Sequence, residues 1–225
     1  MPNIIRIQNG GTEVGILPER GGRVVHLSRN GGENILWGNP NLYDAKIEPQ
    51  LWSPEWTDKD SFIPLGGAEV WLSPQKMWWK QQNRFSEKVD CPMLWPPDPY
   101  IIYGECKYPH TKKAITLTGE KSKISGVQIV QGIRVDKRGI VHHKVTATNI
   151  SNKPVEWGLW FITRVPGFSK SFVPTDDEVV VTDPFHPERQ GRAEFEVKDG
   201  FFSFAPEKID TEKWKESMGK AISLQ

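Results

Sequence analysis

Between Gly126 and Asn149 the side chains alternate with a period of two, and this constrains the chain's fold more than any other feature. Val127, Ile129, Ile133 and Val135 lie on one face of the first run, with Gln128, Arg134 and Asp136 on the other. Asp136-Lys137-Arg138-Gly139 then reads as a hairpin loop. In the return run Val141, His143, Val145 and Ala147 share a face opposite His142, Lys144, Thr146 and Thr148. A period of two places successive side chains on opposite faces of a strand, so one face is built to be covered. The same grammar recurs. Residues 4–8 and 12–17 flank Asn9-Gly10-Gly11 as a hairpin, Val24–Ser28 and Asn34–Trp37 are bounded by glycine turns, and Ala114–Gly119 alternates. Further strands are expected at Glu178–Thr182, Ala193–Lys198 and Phe201–Ala205, the last two joined by Asp199-Gly200. Val155–Val165 is bulky on both faces, which predicts a central strand. Only Asp210–Lys220, with Trp214 and Met218 four apart, has helical spacing. The expectation is an all-β, antiparallel sandwich or barrel forming a single domain over residues 1–225.

One region departs from this grammar. Seven of the ten Trp fall between Trp37 and Trp95, and half of the 18 Pro between Pro40 and Pro99. Repeated Pro removes ladder donors, so residues 38–64 read as loop. Linkers lack Trp. A long ordered loop system carrying rigid aromatic surface is the remaining reading, and such loops are often functional. The plainer alternative is that these indoles close the open end of a core.

Charge narrows the partners. Lys+Arg 29 against Asp+Glu 28 leaves a net charge of +1, with no basic run longer than Lys112-Lys113. A nucleic-acid partner would call for a basic stripe, so none is expected. No apolar stretch approaches the roughly 18 residues of a membrane span, and the first residues do not form a secretory signal. Two cysteines, Cys91 and Cys106, are too few for a disulfide scaffold or zinc cluster; read as reduced thiols, they place the chain in the cytoplasm. Phosphate loops, a G-x-S-x-G elbow and H-E-x-x-H are lacking. His142 and His143 point to opposite faces, and His110 and His186 have no spaced ligand set, so no metal and no cofactor are expected. His26 shares a predicted strand face with Val24 and reads as an interior group.

What remains fits a sugar. Pyranose C–H faces pack on indole, and sugar hydroxyls suit planar partners such as Glu, Asp, Gln and Arg. Trp71 and Trp95, beside Glu69, Gln75 and Asp98, supply both kinds, with Trp78, Trp79 and Arg84 in the same stretch. Glu69 and Trp71 share one strand face; the alternative is that Glu69 pairs with a surface lysine while Trp71 is core. Trp160 and Arg164 share a face of the later strand, where an Arg should meet a carboxylate or line a cavity. Trp71, Gln75, Trp160 and Arg164 are therefore expected to line one site.

These stretches carry a resemblance. G-G-R-V-V-H-L-S-R-N-G-G-E-N-I-L-W, then L-G-G-A-E-V-W-L-S-P-Q, S-G-V-Q-I-V-Q-G-I-R-V and T-N-I-S-N-K-P-V-E-W-G-L-W follow in the order seen in the galactose mutarotase-like (aldose 1-epimerase-type) superfamily. The chain resembles a branch of it that carries the W-P-P-D-P segment, clearly over residues 12 to 165 and more loosely beyond. The resemblance implies a β-supersandwich with a small-molecule sugar on the concave face of the larger sheet. It also implies a catalytic histidine near Trp157–Phe161, where none stands, and a glutamate beyond Gln225. The chain is thus expected to be a shortened form or a fragment, incomplete in its C-terminal strands. Three readings stand: a carbohydrate-binding protein; an active aldose or sugar-phosphate epimerase using another acid/base pair, His143 with Glu69; or a Trp-rich protein-interaction module.

Overall fold

The computed structural model describes residues 2–45, 63–78, 97–175 and 194–205. Its described residues form an antiparallel all-β protein of eleven strands, as the alternation predicts. The chain divides into two compact units, Met1–Val165 and Pro166–Gln225.

In the first unit β1 (Ile5–Asn9), β2 (Thr12–Leu17), β3 (Arg23–Arg29), β4 (Ala68–Ser73) and β8 (Gly158–Thr163) make a five-stranded sheet in the order β1-β2-β3-β4-β8. Strands β5 (Ala114–Lys121), β6 (Val127–Val135) and β7 (Val141–Asn149) make a second sheet in sequence order. Each sheet turns one apolar face to the other. Ile7, Val14, Ile16 and Val24 from the first pack with Ile115, Leu117, Ile133 and Val135 from the second, all fully or nearly fully buried. The buried positions of β6 are the odd-numbered ones from Val127 to Val135, which is the alternation read directly as an inside and an outside.

The two layers are fastened at one end by their turns. Thr12 Oγ1 donates to Gly139 O at 2.7 Å, and Asn9 Nδ2 donates to Val135 O at 3.1 Å. Gly10 sits at φ +52°, and a Cβ there would lie 2.3 Å from Gly139 N, so glycine is required by both conformation and space.

The second unit holds β9 (Ser171–Pro174), β10 (Glu194–Lys198) and β11 (Phe201–Ala205) in the order β10-β11-β9. Asp199 and Gly200 both have positive φ, 52° and 76°, the geometry of the two-residue hairpin that the Asp-Gly pair predicts.

Several expectations are corrected. Asn34–Trp37 is not a strand. Asn34 takes the place of a ladder partner: its side chain accepts from Leu27 N and Leu36 N and donates to Val25 O, so the chain runs beside β3 without extending the sheet. β8 ends the five-stranded sheet among the described residues rather than lying centrally, and Trp160 and Phe161 are exposed. Bulk on both faces reports side-chain size, not the number of neighbouring strands. His26 does not share a face with Val24. The register slips there, with Ile16 opposite Val24 but Gly15 opposite His26, so Val25 is bulged and His26 turns outward. A short helix, α1 (Pro99–Ile102), closes the proline- and aromatic-rich stretch. The expected strand at Glu178–Thr182 and helix at Asp210–Lys220 lie outside the described residues.

Candidate functional site

Alternation and register together assemble the site on the outer face of the five-stranded sheet. Residues 69, 71 and 73 of β4 point outward because Val70 and Leu72 are turned toward the interior. The antiparallel register sets Trp71 opposite Trp160 and Glu69 opposite Ile162, and Arg164 N donates to Gly67 O just beyond. Side chains from two stretches some 90 residues apart in sequence thus meet as cross-strand neighbours.

Trp71 is the centre of the cluster. Its ring meets the Trp160 ring edge-on at 5.5 Å and 83°, and the Trp78 ring at 5.5 Å and 72°. The Arg164 guanidinium carbon lies 5.4 Å from the Trp71 ring centroid, within cation–π range. Trp78 is itself fixed, its Nε1 donating to Leu72 O at 2.8 Å. Trp71 and Trp78 are buried, while Trp160 is 39% exposed. The cluster therefore has a closed wall and an open indole.

Beneath the indoles lies a charged triad. Glu69 Oε2 accepts from Arg23 Nη2 and Glu69 Oε1 from Arg164 Nη1. The Arg23 and Glu69 side chains are almost wholly buried, at 1% and 3% exposed, whereas Arg164 is 22% exposed. Arg23 Nη1 also donates to Gly66 O at 2.7 Å. The expected carboxylate partner for Arg164 is thus Glu69, and Glu69 pairs with two arginines rather than a surface lysine. Removing one member of such a buried set strands a charge, at a cost of about 3–5 kcal/mol. Both Glu69 oxygens are committed to guanidinium donors, which unsuits the carboxylate to the role of general base.

Other residues singled out in the sequence fall elsewhere. Gln75 begins a 3-10 turn, Gln75–Met77, directly after β4 and is half-buried. Trp95, Trp79 and Arg84 lie outside the described residues. Asp98 is buried and caps α1 by accepting from Tyr100 N at 3.0 Å, and Ser122 Oγ donates to it at 2.6 Å. Burial pushes its carboxyl upward, against the pull of the Ser122 and backbone donors. His143 points between the sheets, its Nε2 2.9 Å from Gln131 Oε1 and its ring edge-on to Phe161 at 5.5 Å. Burial holds its pKa below the ordinary histidine value. His143, on β7, thus faces the space between the sheets, whereas Glu69, on β4, lies on the opposite side of the five-stranded sheet, which separates them as an acid/base pair.

Sequence reasoning missed Arg23. Its signal is an arginine opening a strand of otherwise apolar, buried neighbours, which demands a buried anion. It also missed the outward turn of His26. With Glu13, Ser28 and the Asn9–Thr12 turn, His26 lines a shallow groove of about 610 Å³ at the other end of the same sheet face. His26 Nε2 faces both Ser28 Oγ at 2.9 Å and Glu13 Oε1 at 3.4 Å. A nucleophile relay needs the two ring nitrogens to serve different partners, so this is a polar cross-strand contact and not a triad.

Among the described residues no group of three or more His, Cys, Asp or Glu is placed to hold a metal ion, and no helix is long and apolar enough to cross a membrane.

The molecule is thus defined as an antiparallel β protein bearing a tryptophan–arginine cluster on an outer sheet face. The chain belongs to the family described as Domain of unknown function (DUF4380), whose model matches residues 3–223. No curated protein and no solved structure matches it.

Proposed function

We propose that the chain is a carbohydrate-binding protein that holds a sugar at the β4–β8 end of the outer sheet face, in the manner the resemblance to galactose mutarotase-like proteins implies. The observation that carries this reading is the open Trp160 indole set in register beside Trp71, with the Arg164 guanidinium fixed against the same ring. An exposed indole offers a flat apolar surface for the C–H face of a pyranose, whose oxygens suit planar polar side chains beside it. Gln75, half-buried just after β4, is the nearest uncharged planar group in sequence and would take a further hydroxyl.

Binding is favoured over catalysis because anomer exchange needs a positioned acid and base. Glu69 is held by two arginines and His143 faces the interior. Groups that hold substrate and transition state equally do not accelerate the chemical step. Cys106 is a free, buried thiol whose pKa burial raises to about 12, as for an inert cysteine.

The test is a titration of intrinsic tryptophan fluorescence with a panel of monosaccharides, repeated with Trp160→Ala, alongside polarimetry of freshly dissolved α-glucose and α-galactose. Saturable quenching that Trp160→Ala abolishes, with unchanged mutarotation, is expected. Acceleration of mutarotation that disappears in His143→Ala would overturn the binding-only reading. Quenching indifferent to Trp160 would move the site elsewhere.

A further inference from the structure

We infer that the chain pairs with a second copy of itself along the free edge of β8, joining two five-stranded sheets into one. The two sides of the first unit finish their edge strands differently. On the β1/β5 side the segment 107–113 is a cover. Lys107 bridges to Thr118 and His110 to Ile115 of β5, and Thr116 N donates to Pro109 O at 3.1 Å. In the same segment Lys112 O accepts from Gln8 N of β1 at 2.7 Å. On the other side β7 and β8 lie next to each other, joined by the ring contact of His143 with Phe161. There, among the described residues, no backbone bond reaches the free edge of either strand.

A bare strand edge is a row of unpaired N–H and C=O groups, which proteins ordinarily blunt with charge, proline, a bulge or a cover. β8 reads Gly-Leu-Trp-Phe-Ile-Thr, with no charge and no proline, and its register against β4 is unbroken. β7 carries the exposed Lys144, a charge that discourages pairing, so the junction falls to β8. Apolar surface coincides with that edge. Phe161 lies opposite the inward-facing Val70 and so points between the layers, yet it is 52% exposed. The edge therefore calls for a partner that brings both a strand and apolar side chains. A second β8 brings both: across a two-fold axis the same uncharged strand meets itself antiparallel, and each apolar opening faces the other. Six residues span about 20 Å and two layers with their side chains about 20 Å, or about 800 Å² buried in total. That is the size of a weak, concentration-dependent dimer. The added strand lies in the plane of the sheet, which leaves the outer face at Trp160 open and the carbohydrate reading independent of the pairing.

The experiment follows self-association of the full chain by sedimentation velocity from low to high micromolar concentration, with hydrogen exchange of the β8 amides measured at both ends of the range. A monomer–dimer equilibrium is expected, with β8 exchange slowing as the dimer fills. Two variants place a charge on the edge strand, Phe161→Lys and the milder Thr163→Lys at an exposed position. Each should weaken the dimer at least about tenfold, as a charge on an edge strand opposes pairing. Far-ultraviolet circular dichroism checks that both are folded, and Thr163→Lys decides the matter if Phe161→Lys is not. A monomer throughout, with β8 exchange independent of concentration, would overturn the inference and give the edge to another occupant. A dimer that survives Thr163→Lys with β8 exchange unchanged would overturn it too, by placing the interface elsewhere.

Discussion

Two ends of one sheet face carry nearly the same residues and put them to different use. At the β4–β8 end Arg23, Glu69 and Arg164 are clamped under tryptophan rings. At the β1–β3 end Arg6 pairs with Glu13, and His26 lies beside Glu13 and Ser28, with the Arg6 side chain 49% exposed. The chemistry of the partners hardly differs, but their solvent does. In water an ion pair is screened and contributes little; beneath an aromatic cover the same pair becomes obligatory, because neither partner can be hydrated alone. A charged residue at the first end therefore acts as a structural constraint, while at the second it contributes little to the fold.

Mutations can break that contrast or sharpen it. Arg23→Ala should be the most damaging, lowering unfolding free energy by about 3–5 kcal/mol in urea titration, since Glu69 is left buried with half its partners gone. A loss below about 1 kcal/mol would mean that the triad is hydrated and the contrast false. Trp160→Ala should cost little stability but abolish sugar quenching, separating the open indole from the closed ones. Arg6→Ala should change stability by about 1 kcal/mol at most, and by less in high salt, as exposed pairs do. The smallest effect concerns a histidine hidden from both ends. The folded-state pKa of His143 lies below the unfolded value of about 6.5 because burial disfavours its charge. The unfolded chain thus takes up the proton first as pH falls. The contribution of His143 is fully present above about pH 6.5 and is lost as pH drops toward the folded pKa. Comparing pH–stability curves of the parent and His143→Gln should show the acid-side decline shallower in the variant.

The outer and inner faces of the strands were legible in the sequence because alternation is a local property: β1, β2, β5, β6 and β7 follow from residues no more than a few positions apart. Glu69 with Trp71, and Trp160 with Arg164, were legible as same-face neighbours within their own strands for the same reason. What the sequence withheld depends on register between distant strands. That Glu69 finds Arg23, 46 residues away, follows from β3 meeting β4 at Val24 and Ala68, which composition does not specify. The bulge at Val25 shifts every later residue of β3 by one face, and no residue type there announces it. The role of Asp98 was readable in principle. Asp followed by Pro is a helix N-terminus signal, with the Asp as cap and the Pro at the first helical position, but dense prolines around it favour a loop reading.

The seam between the Asn9–Thr12 turn and the Val135–Gly139 turn has a consequence for how the molecule is made. Its hydrogen bonds join residues 126 and 127 positions apart, and its glycines bring the two backbones into direct contact. The first hairpin therefore emerges from the ribosome with its inner face uncovered. It stays so until the β6–β7 turn has been synthesised, on the order of ten seconds later at about 5–20 residues per second. During that interval Ile7, Val14 and Ile16 form an apolar surface with no layer to receive it. The N-terminal strands, although first made, should be among the last to be locked in place, and an alanine at Gly10 or Gly139 should show itself as slow closure and aggregation of nascent chains.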